Sequence, residues 1–184
     1  MLANAGGVTI APDIAQVTVL RGKESGKIWF QDLYDHPELD IALRAGDRIL
    51  VEGDTRSFTA LGATGSQSLV PFESQSLSAL EAIAQVGGLS AASADPKGVF
   101  VLRNEPAEIA NVVMGRNDLQ GAQRLVYVLD LTQPNGMFHA RDFVIRDGDT
   151  LYVTEAPFTQ WTKVIGALTG AAGSVQSLSS LAGQ

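Results

Sequence analysis

Ile145-Arg146-Asp147-Gly148-Asp149-Thr150-Leu151-Tyr152-Val153 reads as a tight turn feeding a β-strand. Gly148 suits the left-handed backbone position of such a turn, and an Asp beside it can accept hydrogen bonds from the turn's own amides. Thr150 to Val153 is a β-branched and aromatic run that favours half-buried, pleated backbone. The same pattern occurs earlier, as Leu43-Arg44-Ala45-Gly46-Asp47-Arg48-Ile49-Leu50-Val51. Asp47 and Asp149 therefore hold equivalent places, which points to a turn role rather than to catalysis.

Three further blocks recur in the same order, the signature of an internal repeat. Leu2-Ala3-Asn4-Ala5-Gly6-Gly7-Val8 returns as Ile83-Ala84-Gln85-Val86-Gly87-Gly88-Leu89. Val17-Thr18-Val19-Leu20-Arg21 returns as Val99-Phe100-Val101-Leu102-Arg103, and Ile28-Trp29-Phe30-Gln31-Asp32-Leu33 as Val126-Tyr127-Val128-Leu129-Asp130-Leu131. The copies lie further apart after the second block, so the second copy carries an insertion between Arg103 and Val126. Its mostly polar composition suits a surface loop or an extra helical turn.

One copy reads as a β-hairpin, a helix and then several strands. Phe58 to Ala63 and Ser68 to Phe72 form the hairpin around Gly65. Ser76 to Val86 has helical spacing at Leu77, Leu80, Ile83 and Ala84. Ser78-Ala79-Leu80-Glu81 has the spacing of a capping box, with Ser76 an equal candidate for the cap. Gly87-Gly88 ends the helix, since glycine takes the left-handed position without a Cβ penalty. Val99 to Leu102 and Val126 to Leu129 are strands. The fold class is α+β: a small mixed sheet with one helix packed across it. Met1 falls where the helix of the first copy should already be under way. The expectation is a first unit that is incomplete at its N-terminus, or one that a neighbour finishes.

From Asp47-Arg48-Ile49-Leu50-Val51, through Phe58 to Ala63, to Leu80-Glu81-Ala82-Ile83-Ala84-Gln85-Val86-Gly87-Gly88-Leu89, the pattern resembles an SLBB domain, a small β-grasp-like module named for soluble-ligand binding. Val99 to Arg103, Tyr127 to Leu131 and Arg146 to Val153 continue the match. Two such units followed by Ala156-Pro157 and a terminal helix are similar to outer-membrane polysaccharide export proteins of the Wza/KpsD type. The expected organisation is the C-terminal part of a first SLBB unit at 1–54, a second at 55–155, and an amphipathic membrane helix with its tail at 156–184. The resemblance implies a homo-oligomer ring with its SLBB units in the periplasm of a Gram-negative cell and its terminal helices crossing the outer membrane. It further implies an upstream export domain, a signal sequence and an acylated N-terminal cysteine, none of which this stretch contains.

The terminal segment has its own reading. At about 100° per residue, Phe158, Trp161, Val164, Ile165, Leu168, Ala172 and Val175 share one face. Thr159, Thr162, Lys163, Gly166, Gly170, Gly173, Ser174 and Ser177 share the other, and no charged residue follows Lys163. One reading is a helix whose apolar stripe packs on its own sheet. The sharper one is a wall helix with lipid on the first face and an aqueous lumen or a neighbouring helix on the second. Roughly 20 residues at about 1.5 Å each cross a hydrocarbon core. Trp161 suits an interface, and Gly166 with Gly170 allows close helix approach.

Composition closes off other classes. The 184 residues include 13 Lys+Arg against 20 Asp+Glu, a net charge of −7 with a pI near 4.7, and no basic run, so no nucleic-acid partner is expected. With no cysteine, thiolate chemistry and Cys-based zinc sites are excluded. His36 and His139, the two histidines, stand in no ligand motif, and His36 beside Pro37-Glu38 reads as an exposed loop residue. Asp32, Asp35 and Asp40 suit a solvated loop. Gly65-Ser66-Gln67-Ser68 reads as a turn rather than a nucleophile elbow. No catalytic, cofactor-binding or metal-binding residue is expected. The function expected is export of capsular or exopolysaccharide, with the polymer, inner-membrane co-polymerase or export machinery, and outer-membrane lipid as partners. The alternatives are a soluble saccharide- or small-ligand-binding module, and an enzyme domain using the Asn104 to Arg124 insertion.

Overall fold

The computed structural model describes residues 7–155. The chain divides into two compact units: residues up to Arg56 with Pro71–Ser76, and Ser57–Val70 with residues from Leu77 onward.

Unit 1 is a three-stranded sheet of β1 (Ala15–Arg21), β2 (Glu24–Trp29) and β3 (Arg48–Gly53), in the order β2-β1-β3, both pairings antiparallel. A single helical turn, α1 (Asp32–Asp35), and a 3₁₀ turn, Pro37–Leu39, follow β2. β2 ends at Trp29, where the chain turns into these two short helical turns. Proline at the start of the 3₁₀ turn fixes φ there and lacks the N–H that a strand would need.

Unit 2 contains β4 (Ser57–Gly62), β5 (Ser68–Pro71), α2 (Ala79–Gln85), β6 (Val99–Glu105), α3 (Ala107–Met114), β7 (Gln123–Leu129), α4 (Pro134–Asp142) and β8 (Thr150–Val153). The strands form one sheet in the order β5-β4-β8-β6-β7. It is mixed: β4 runs parallel to β8, whereas β6 runs antiparallel to both β7 and β8. The module is thus α+β. Within it, β7-β6-β8 reproduces the order and directions of β2-β1-β3.

Most of the core lies on one face of that sheet, while Phe100, on the opposite face of β6, is buried with its ring stacked on Tyr152. Phe58, Ala60, Val99, Val101, Leu151 and Val153 are buried against Leu77, Ala79, Ala82, Ile83 and Val86. The buried stripe of α2 is Ala79, Ala82 and Ile83, so the predicted spacing is corrected: Leu80 is half-buried and Ala84 exposed. Ser78 is the cap. Its Oγ accepts the Glu81 N–H at 3.2 Å, and the Glu81 carboxylate accepts the Ser78 N–H at 2.8 Å. At the other end Gly88 N–H donates to Ile83 C=O and Gly87 N–H to Ala84 C=O, at 2.9 and 3.0 Å, the paired bonds of a Schellman stop. Both glycines have positive φ, and Gly7, which repeats Gly88, has the same φ of +79°.

Two helices enlarge the predicted unit. α3 is the inserted element between β6 and β7. α4 packs beside α2 with Ala140 fully buried, so the sheet carries two helices on its core face rather than one. Among the described residues no helix is long and apolar enough to cross a membrane.

Candidate functional site: a repeated arginine–aspartate clamp and an apolar cleft

The turns before β3 and β8 put one aspartate each beside the end of a neighbouring strand. Leu20 pairs with Arg48, and Leu102 with Thr150. One residue further along each register, Arg21 faces Asp47 and Arg103 faces Asp149. Arg21 donates from Nε (2.9 Å) and Nη2 (2.6 Å) to the two carboxylate oxygens of Asp47. Arg103 does the same to Asp149 at 2.9 and 2.5 Å. The second oxygen of each aspartate also accepts a turn amide at 2.7 Å, from Arg44 and Arg146 respectively. Each arginine then reaches a carbonyl of the incoming loop, Ala42 at 2.9 Å and Val144 at 2.7 Å. Gly46 and Gly148 supply the positive φ that lets both turns close.

The environments of the two clamps differ. Arg21 stays partly open to solvent, whereas the side chains of Arg103 and Asp149 are 6% and 2% exposed. The hydrogen bond from Arg21, followed by that from the Arg44 N–H, pulls the Asp47 carboxyl down to about 2. Burial of Arg103 works against its charge, but the bond to Asp149 and the nearby carboxylates outweigh it and raise its affinity for the proton.

Around the second clamp lies a polar network. Glu105, two residues along β6 and 1% exposed, accepts from Tyr127 Oη and from Arg146 Nη1, both at 2.9 Å, and stands 3.5 Å from Arg103. The Arg103 guanidinium lies 4.9 Å from the Phe143 ring centre and 5.7 Å from that of Tyr127. Burial first, then the bond to Glu105, push the Tyr127 phenol up to about 12. Among the described residues every buried side-chain nitrogen or oxygen has a partner. A network with all its bonds made locks a turn in place.

Unit 1 bears a cleft of about 1070 Å³ on one side of its sheet, walled by Val17, Val19, Ile28, Phe30, Leu39 and Ile49 with Lys27 and Asp40 among its polar residues. The other residues weighed from sequence do not converge. His36 Nδ1 lies 3.1 Å from Glu38 Oε1, both exposed. Asp32 accepts from Gln75 and Asp35 from Gln31. His139 sits in the last turn of α4. Gly65 is a packing position: a Cβ there would stand 2.6 Å from Val86 O. No group of His, Cys, Asp or Glu able to hold a metal ion occurs among the described residues. The predicted membrane and lumen faces, from Phe158 to Ser177, lie outside the described residues.

Comparison with known proteins agrees with this architecture. The family described as SLBB domain matches residues 56–153. The capsule polysaccharide export protein BexD of Haemophilus influenzae is 33% identical over 170 residues, 89% of this chain and 43% of that protein. The Vi polysaccharide export protein VexA/TviF of Salmonella typhi is 32% identical, covering 89% of this chain and 44% of the relative. The capsule polysaccharide export outer membrane protein CtrA of Neisseria meningitidis is 30% identical, covering 96% and 48%. The chain thus spans a little under half the length of these relatives. Its matched module and these similarities show that the chain belongs to the SLBB-domain family, in its polysaccharide export branch.

Proposed function

We propose that the chain is the C-terminal part of an outer-membrane channel subunit that exports a capsular or exopolysaccharide. Two SLBB units, 1–54 and 55–155, stand in the periplasm as part of a homo-oligomeric ring, and the segment 156–184 supplies one wall helix per subunit. The observation that carries the reading is similarity along 89% or more of the chain to proteins named for capsule or Vi polysaccharide export. The clamps, which hold turns closed in both units, suit the structural role of a conduit subunit. The alternative, a saccharide- or small-ligand-binding module, would rest on the cleft in unit 1, whose mainly aliphatic and aromatic walls carry Lys27, Asp40 and Tyr34.

In this reading Phe158, Trp161, Val164, Ile165, Leu168, Ala172 and Val175 meet lipid. Thr162, Gly166, Gly170, Gly173 and Ser177 meet water or a neighbouring helix. The implied partners are the polymer and the inner-membrane machinery that drives it. The test is complementation of an export-deficient host with the full-length protein, with or without residues 156–184. Restored surface polysaccharide that depends on the segment supports the channel. Full export without it overturns the proposed wall helix.

A further inference from the structure

The five-stranded sheet of unit 2 ends in two edge strands, β5 and β7, and the internal repeat provides a control for judging them. β2, the counterpart of β7, is blunted in the usual way for an edge: Glu24, Gly26 and Lys27 fall within it, and its first four residues are exposed. In β7 the position equivalent to Lys27 is Leu125, and Leu125-Val126-Tyr127-Val128-Leu129 contains no charge, glycine or proline. Beyond its ladder to β6, β7 makes no strand pairing among the described residues. Val128 on this edge is 38% exposed. On the far edge Leu69 of β5 is 68% exposed. Arg124 is the one charge within β7, and Pro71 ends the four-residue β5, so the edges open to pairing are Leu125 to Leu129 and Ser68 to Val70. Extended apolar edges of this kind recruit another strand.

The directions fit a second copy. The five residues between β4 and β5 are too few for a parallel crossover, so β5 runs opposite to β4. β4 is parallel to β8, and both β8 and β7 are antiparallel to β6, so β5 and β7 run in opposite directions. Copies related by rotation about a ring axis thus present antiparallel edges to each other. We propose that β7 of one copy pairs with β5 of the next, a head-to-tail contact that carries one sheet through successive unit 2 modules. Closure of that array into a ring rests on the channel reading above; the strand pairing stands on the two edges themselves.

The absence of cysteine makes the test direct. Leu69→Cys and Val128→Cys are placed singly and together in the full-length protein, and envelopes are treated with a short bismaleimide. The double variant is expected to give a ladder of cross-linked oligomers. Mixed single variants should give dimers only, and either single variant alone should give none. Dimers from Val128→Cys alone as abundant as those from the mixture would mean that β7 meets β7, which overturns the proposal. A double variant that gives no ladder while still exporting polysaccharide also overturns it and leaves the channel reading intact. A ladder in a protein that exports nothing sustains the pairing while the export reading fails.

Discussion

Arg103 grips Asp149 with the same two nitrogens that Arg21 uses on Asp47, and in both units the aspartate's second oxygen also accepts the amide three residues before it. The duplication has therefore kept a three-dimensional device along with the strand order. Removing one partner of a buried ion pair strands the other charge, a loss of about 3–5 kcal/mol. Asp149→Ala is expected to cost that much. Asp47→Ala should cost clearly less, because water can solvate the freed Arg21. Urea unfolding followed by circular dichroism measures both; equal losses would mean that burial does not separate the two clamps.

The Asp47 clamp makes unit 1 sensitive to acid. Its carboxyl titrates at about 2 in the folded chain, against about 3.9 when unfolded. A depressed carboxylate contributes stability that is complete above the unfolded value and is lost as pH falls through the folded one. Wild type should therefore lose stability between about pH 4 and pH 2 more steeply than Asp47→Asn. Urea midpoints taken across that window decide it, and parallel slopes would remove the clamp as the cause.

Tyr127 gives the opposite, alkaline signature. Its phenol donates to buried Glu105 and is pushed up to about 12, against about 10 unfolded. A raised group contributes stability that is complete below the unfolded value and is lost as pH rises through the folded one, here from about 10 to 12. Tyr127→Phe should remove a late phenolate step from the absorbance titration, where Tyr34 and Tyr152 are the other contributors. It should also cost about 1 kcal/mol at neutral pH from the lost hydrogen bond.

Gly62 and Gly148 both have positive φ, +84° and +78°, yet they should respond differently to alanine. At Gly148 a Cβ meets nothing within 4 Å, so the cost is conformational only, about 1–2 kcal/mol. At Gly62 it would sit 1.9 Å from Val153 O, where β4 closes against β8. Strain then adds to loss of the parallel pairing, and about 3 kcal/mol or more is expected. Thermal unfolding of the two variants compares them; equal losses would show that β4 can shift away from β8 without penalty.

The order of the repeat made most of this architecture legible, because strands and turns leave short-range signatures. The Gly-Asp turns, the Ser78 capping box and the Gly87-Gly88 stop each depend on neighbours within a few residues. The partnership of Arg103 with Asp149 does not. Both residues stood in matched blocks, but only the pairing of Leu102 with Thr150 brings them opposite each other. α4 was missed for a different reason. Its buried contact is the small Ala140, so it carries no apolar stripe, while Phe138 and Met137 point outward. Pro134 at its first turn was the available signal. α3 was visible as an insertion, but its helical length was not.

The terminal segment yields the prediction that bears most on function. If Leu168 faces lipid and Ser177 faces water, one added carboxylate should be costly at the first position and tolerated at the second. An aspartate near the middle of a membrane helix costs about 2.5–3.5 kcal/mol, roughly a hundredfold in partitioning per subunit. In full-length protein Leu168→Asp is expected to shift much of the chain out of the detergent-extracted membrane fraction and to reduce surface polysaccharide. Ser177→Asp should leave fractionation unchanged, because a wet face already solvates the charge. Fractionation and polysaccharide blots on the same cells separate a failure to insert from a failure to conduct. If both variants fractionate like wild type, Leu168 does not meet lipid, and the stripe from Phe158 to Val175 packs against protein instead.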